Sequence, residues 1–330
     1  MTLIVFVGFI VWIFVWALFA PKEDISDRIT RTLEEQEKRA DLSFKEVTFE
    51  EIVDGVKYWQ LNAQTAKVNK STEISTLKDS KGIFYKNGKA VLRFISPAAL
   101  WDMKKREILL DQPIGYDVSL ERQISTLIKS IKQSRYSVFN LPKMYDQGQG
   151  YWFKARNLSW KFADQQMTCS GGIVLNKGDI TGFADRLDGD VAMEKIVLKG
   201  EPKIVLNPDR GAPITVEAES FEVISANDTV LAEGNPVILW KDAKIYAERI
   251  KYLQAEKKLE LSGAVNVQYR DIDAWGNKAE YFSEDDKIIL KGNARASQAD
   301  NKLSGEKVMV SLKEQKISVM GRGKAIITEE

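Results

Sequence analysis

A glycine that returns at a fixed interval constrains this chain more than any other feature. Gly171 and Gly200 stand 29 residues apart, Gly234 follows after 34, and Gly263, Gly292 and Gly321 follow at 29 again. Each sits in the middle of an alternating stretch, as in KLELSGAVNVQ at 258–268, where Leu259, Leu261, Val265 and Val267 share one parity and Glu260, Ser262, Asn266 and Gln268 the other. That alternation is the mark of a half-buried strand, so the chain reads as an array of β-repeats.

Other columns keep the same register. Four residues before each glycine stand Met167, Ile196, Val230, Leu259, Ile288 and Ile317, and two before it Cys169, Leu198, Ala232, Leu261, Leu290 and Val319. Sixteen before it the residue is always small: Ala155, Ala184, Ala218, Ala247, Gly276 and Gly305. An apolar residue follows three places later in every copy, a spacing that a flat strand cannot hold on one face, so a bulge or corner is expected there. Each unit of about 29 residues is therefore two strands, one bent at its small residue and one carrying the glycine. Polar turns such as AEKK and SEDD join them, which suits hairpins. The fold class expected is all-β, an elongated, twisted antiparallel array.

Inward positions after the glycine hold Ile173 and Leu175, then Pro202 and Ile204, Pro236 and Ile238, and Val265 and Val267. They end with Ala294 and Ala296, then Gly323 and Ala325, so either room opens between the walls toward the C-terminus or the strands approach closely. A degenerate copy precedes the series: Phe94, Ser96, Ala99 and Trp101, then Ile108, Leu110, Ile114 and Tyr116, with Gln112 in the glycine slot. Two periods separate Gln112 from Gly171, and one repeat between them is replaced by SLERQISTLIKSIKQSR at 119–135, an amphipathic helical pattern with a basic polar face. Its apolar face would close the end of a β-lobe, and its basic face would suit an acidic partner or membrane surface. The segment 140–150 reads as a flexible join.

The N-terminus has another texture. Residues 3–20 are an uncharged apolar run of 18, reaching about 27 Å as a helix and so long enough to cross a bilayer once. No basic residue precedes it and no small-residue cleavage site closes it, so it reads as a retained anchor with the body outside the cytoplasm. Residues 21–41 read as a charged helical spacer without a packing partner. The expected organisation is an anchor at 1–20, the spacer at 21–41, a β-lobe at 42–118, a helix and linker at 119–150, and repeats at 151–330.

Composition narrows the function classes. Basic and acidic residues number 48 and 47, which leaves no electrostatic footprint for nucleic acid. There is no histidine, and the single cysteine, Cys169, falls on an apolar parity and reads as a small buried hydrophobe. Acidic residues lie in turns or on polar faces; the densest group, Asp185, Asp188 and Asp190 in GFADRLDGD, reads as a turn, with calcium as the alternative. No paired carboxylates, phosphate-binding loop or cofactor motif is present, so the chain reads as a non-enzyme without cofactor.

An apolar anchor and charged spacer followed by GVKYWQLNAQTAKV, GIFYKNG and ILLDQPIGYD resemble LptC, and the repeats from Tyr151 onward resemble the LptA/OstA bridge proteins of lipopolysaccharide export. The resemblance implies a β-jellyroll open along one seam, in the periplasm of a Gram-negative bacterium and tethered to its inner membrane. Acyl chains of lipopolysaccharide would lie in an apolar groove formed by Phe94, Leu110, Ile114, Met167, Cys169, Ile173, Leu175, Ile196, Leu198, Ile204, Val230, Ile238, Leu259, Leu261, Val265, Val267, Ile288 and Leu290. Implied partners are an inner-membrane ABC transporter, LptB/LptF/LptG, and LptA or LptD-like jellyrolls joined edge to edge. The competing reading is a membrane-anchored structural or adhesive repeat protein with a dry core.

Overall fold

The computed structural model describes residues 24–123, 150–163, 165–207, 212–299 and 301–326. The expected anchor at 1–20 and most of the expected helix at 119–135 lie outside the described residues; the first turn of the latter is a 3-10 helix, Val118–Gln123. Among the described residues no helix is long and apolar enough to cross a membrane.

The described chain is β throughout except for one α-helix and short 3-10 turns, and 23 antiparallel strands join into one sheet. Long strands are bent at their middle, so that the sheet doubles over and presents two walls. The halves 186–189 and 180–183 of the strand Ile180–Asp190 pair with different partners, Lys195–Lys199 and Lys203–Leu206. From there one wall runs through Ser220–Ile224, Thr229–Glu233 and Arg249–Leu253, the other through Ile214–Glu217, Val237–Trp240 and Ala243–Tyr246. The first and second walls, in that order, meet again on the strand Lys258–Tyr269. The same division begins earlier, where Glu107–Asp111 pairs with Asn157–Lys161 in the first wall and Ile114–Asp117 with Tyr151–Lys154 in the second. Strand pairing thus crosses the expected boundary between 42–118 and 151–330.

The recurring glycines lie on the fold line. Gly171, Gly200, Gly234, Gly263, Gly292 and Gly321 all have positive φ, between 71° and 85°. In five of them the next residue is left-handed too: Gly172, Glu201, Asn235, Ala264 and Asn293. This pair of left-handed residues is what turns the strand from one wall to the other, and hydrogen-bond ladders shift there, between Ser262 and Val265 for example. A second constraint acts at the same place. A Cβ added to Gly263 would stand 2.7 Å from the Cβ of Glu248, and one on Gly171 or Gly200 would stand 2.8 Å from the Cβ of Arg156 or Asp185. The covering residue always comes 15 places before the glycine, immediately after the small residue at which the neighbouring strand bends.

The helix Ile25–Arg39 is capped by Asp24, whose carboxylate accepts from Ser26 N at 2.9 Å. It is packed against the body rather than standing free as a spacer. Ile29 is buried in a cluster with Leu100 and Leu109, flanked by Ile25 and Leu33, on the outer side of the first wall. Polar contacts fix its two ends: the Ser26 hydroxyl donates to Asp111 at 2.6 Å, and Gln36 donates to the carbonyl of Ile74 at 3.1 Å. Arg28 pairs with Asp102 at 3.3 Å.

Substituting Gly263→Ala forces a side chain into left-handed backbone and against Glu248, and is expected to lower stability by about 1–3 kcal/mol. Gly292→Ala, where the nearest heavy atoms lie at 3.2 Å, should cost less. Equilibrium urea unfolding of the two variants measures the difference.

Candidate functional site: the apolar interior and its rims

Alternation along each strand sends one apolar row into the space between the walls. Of the 18 expected groove residues, 17 belong to a single buried cluster there: Phe94, Leu110, Met167, Cys169, Ile173, Leu175, Ile196, Leu198, Ile204, Val230, Ile238, Leu259, Leu261, Val265, Val267, Ile288 and Leu290. None is more than 4% exposed.

Ile114 is the exception and a correction. It packs with Tyr116, Leu120, Trp152 and Val174 in a separate cluster, and it pairs with Ile95, while Gly115 pairs with the inward-facing Phe94. The reason is local. Gln112 is left-handed like the glycines, at φ 45°, but the next residue is Pro113, whose ring holds φ near −65°. The proline cannot make the second left-handed turn, and beyond it Gly115 rather than Ile114 faces inward, a one-residue slip that exchanges the faces of the strand.

Aromatic residues fill the N-terminal half of the interior, Trp101 at a position of the degenerate repeat and Trp59, Phe84 and Trp160 at positions the spacing did not single out. Trp59 on the second wall meets Trp101 on the first with ring centroids 5.0 Å apart, and Phe84 meets Trp160 across the same gap at 4.3 Å. Further along, the walls enclose an apolar cavity of only 10 Å³. Ile204, Leu206 and Val216 line it from the second wall, and Phe221, Val230, Ala232, Ile250, Tyr252 and Leu259 from the other. That is the room of about one water molecule, far below what an acyl chain needs. Around this cavity the described side chains are closely packed.

Toward the C-terminus the inner residues shrink to Ala294 and Ala296, and the last strand, Lys316–Ile326, is largely exposed. A wider, open depression of 290 Å³ lies beside it, between Trp275, Arg295, Lys302, Lys324 and Ile326. Arg295 stacks over Trp275 at 5.4 Å. Among the described residues the outermost strands, Leu42–Val53 and Lys316–Ile326, each pair on one side only. They leave Leu42, Phe44, Ile52, Met320 and Ile326 exposed.

Charged groups sit on the outer faces and along the rims. Burial works to raise Asp188, but hydrogen bonds from Arg186 and Thr168, with the charges of Arg186 and Lys199, outweigh it and hold the carboxyl below its ordinary value. Asp190 instead turns to Lys86 at 3.8 Å. Among the described residues no group of three candidate metal ligands converges. Burial is the first cause that pushes the Cys169 thiol well up, with Asp188 nearby adding to it. Sequence spacing gave no sign of the rim contacts, because they join turns from strands distant in the chain.

Residues 215–316 match the family described as LptA/(LptD N-terminal domain) LPS transport protein. The matched stretch contains the repeats around Gly234, Gly263 and Gly292, and over it the resemblance to the lipopolysaccharide-transport family is shown. No curated protein matches the chain. Among solved structures, one of LptH, the LptA-homologous periplasmic component of the lipopolysaccharide transport device from Pseudomonas aeruginosa, shares 18% identity. It aligns over 36% of this chain and 96% of that one, with a TM-score of 0.33.

With the thiol fully buried and its deprotonation opposed, Cys169 is expected to resist a soluble maleimide at pH 8 in the folded protein and to react fully in denaturant. Mass spectrometry of the labelled chain reads both states.

Proposed function

We propose, from the match of residues 215–316 to the lipopolysaccharide-transport family, that this chain is a periplasmic component of lipopolysaccharide export that carries acyl chains between its two walls. The family match carries the reading, and the doubled sheet gives it a physical basis. Each methylene kept from water is worth about 0.8 kcal/mol, so several long chains crossing water unaided would face a cost of tens of kcal/mol. A continuous row of similar apolar rungs removes that cost without one deep well to arrest the cargo. The 17 inward residues are the proposed groove. It works only if the walls part, since the enclosed cavity is 10 Å³.

The rest of the reading follows the organisation of the sequence. Residues 1–20 anchor the chain in the inner membrane, 42–118 form an LptC-like part and 151–330 LptA-like repeats, with 119–150 between them. The chain takes its cargo from an ABC transporter of the LptB/LptF/LptG kind and passes it on. The exposed outer strands Leu42–Val53 and Lys316–Ile326 are ready to extend the sheet into neighbouring jellyrolls by strand addition. A second reading, a structural repeat protein with a permanently dry core, draws on the packed interior.

Photo-crosslinking amino acids at Ile196, Leu261 and Leu290, all at most 3% exposed, separate the two. In living cells they should trap lipopolysaccharide, seen as a shifted band that reacts with antibody to it. Crosslinks confined to the protein itself would overturn the transport reading and favour the dry core.

A further inference from the structure

The free rims of the two walls touch through polar side chains. On the second wall the turn after Gln166–Lys177 presents Lys177 and Asp179; on the first wall the turns beyond Ser220–Ile224 and Arg249–Leu253 present Asp228 and Gln254. Lys177 Nζ lies 2.8 Å from Asp228, and the Asp179 carboxylate accepts from the Tyr252 hydroxyl and from Gln254 Nε2, both at 2.6 Å. Lys86 makes a similar crossing, 2.8 Å from Glu194. In these crossings the lysine stands on the second wall and its acid on the first; at the N-terminal end, Arg106 and Glu51 reverse the polarity.

Tyr252 joins this contact to the interior. Its ring lines the enclosed apolar cavity, while its hydroxyl holds the opposite rim. The walls cannot part at the fold line, where strands such as Gln166–Lys177 and Ile180–Asp190 pass unbroken from one wall to the other. They can part at the rims, where a few partly exposed ion pairs and hydrogen bonds close the gap, contacts that contribute little in water. Opening has a further consequence. The Lys177 side chain is 12% exposed and that of Asp228 44%, so parting the rims takes the counter-charge from the more shielded member of the pair. A shielded cation without a partner is unfavourable and calls for an anion.

We infer that the contact among Lys177, Asp179, Asp228, Tyr252 and Gln254 is a lateral entry site for anionic amphiphiles: acyl chains pass between the walls as it opens, and Lys177 exchanges Asp228 for the cargo's phosphate. The inference rests on the transport reading above, and it adds the place of entry and the headgroup chemistry. Asp179 and the two side chains bonded to it, Tyr252 and Gln254, hold the empty carrier shut, so that its apolar interior is not left facing water.

The test bridges the rims. In a D179C/Q254C variant of the full chain, with the buried Cys169 retained, a reducible bis-thiosulfonate reagent links the two new thiols. Uptake of fluorescent lipid A, phosphorylated or enzymatically dephosphorylated, is then followed by emission. Bridging should slow uptake at least about tenfold and reduction should restore it, while Y252F, which loses one latch bond without altering the ring, should take up label about threefold faster than the wild type. K177Q should weaken binding of phosphorylated lipid A about tenfold and leave the dephosphorylated form unchanged, and inorganic phosphate alone should not compete. Equal uptake by bridged and reduced protein would overturn the entry site and leave the transport reading standing. Equal loss on both lipids in K177Q would overturn the phosphate exchange. Failure of the unmodified protein to take up either lipid would overturn both readings together.

Discussion

A pair of consecutive left-handed residues, found at five of the six recurring glycines, is the constraint on which the rest of the structure depends. Extended chain of L-residues does not turn through the fold line by itself, and the αL conformation is costly for any residue with a side chain. Glycine removes that cost at the first position of the pair, and the neighbouring strand's side chain, packed over the glycine Cα, leaves no room for anything larger. Repeating this device at the same height, in alternation with strands bent at a small residue, aligns the bends into a line. The sheet then folds on that line and places two apolar faces opposite each other, and the burial of both against one another supplies the hydrophobic stabilisation.

Doubling the sheet in this way produces an unequal object. One side is a continuous ribbon of backbone crossing from wall to wall; the other is two rows of turns held together by side chains. Any ligand admitted to the interior must come in where separation is least costly, which is the side of the turns. The N-terminal part is closed more firmly than the rest, because Trp59, Phe84, Trp101 and Trp160 reach across the gap in edge contacts. The middle mixes Val, Ile and Leu with Phe221, Trp240, Tyr252 and Tyr269, and the C-terminal end holds alanines and an exposed last strand.

The helix Ile25–Arg39 ties the start of the described chain to this scaffold. Its apolar stripe is three residues wide, Ile25, Ile29 and Leu33, and it covers Leu100 and Leu109 on the outside of the first wall. A stripe so short reads as a solvated spacer when seen alone, since no partner is visible in a linear sequence. The polar face of the same helix carries the specificity of docking, through Ser26, Arg28 and Gln36. Asp24, where the described chain begins, is held by Asn157 and Arg156 at 2.9 and 3.1 Å.

Period and parity by themselves determined that the chain is an antiparallel β-array, where its glycines and small residues bend it, and which side chains point inward, because a strand's two faces alternate strictly and a bend at a fixed interval leaves a fixed trace. They failed at Ile114, where Pro113 cannot join Gln112 in the left-handed region and the count slips by one; a proline in that slot was the available sign. Tertiary structure alone decided that the interior is closely packed around its enclosed cavity, that aromatic residues close its N-terminal half, and that Lys177, Asp179, Asp228, Tyr252 and Gln254 come together at the rim. Those contacts join residues separated by as many as 77 positions in the chain. No local periodicity records them, because they arise only when two walls of one folded sheet come to face each other.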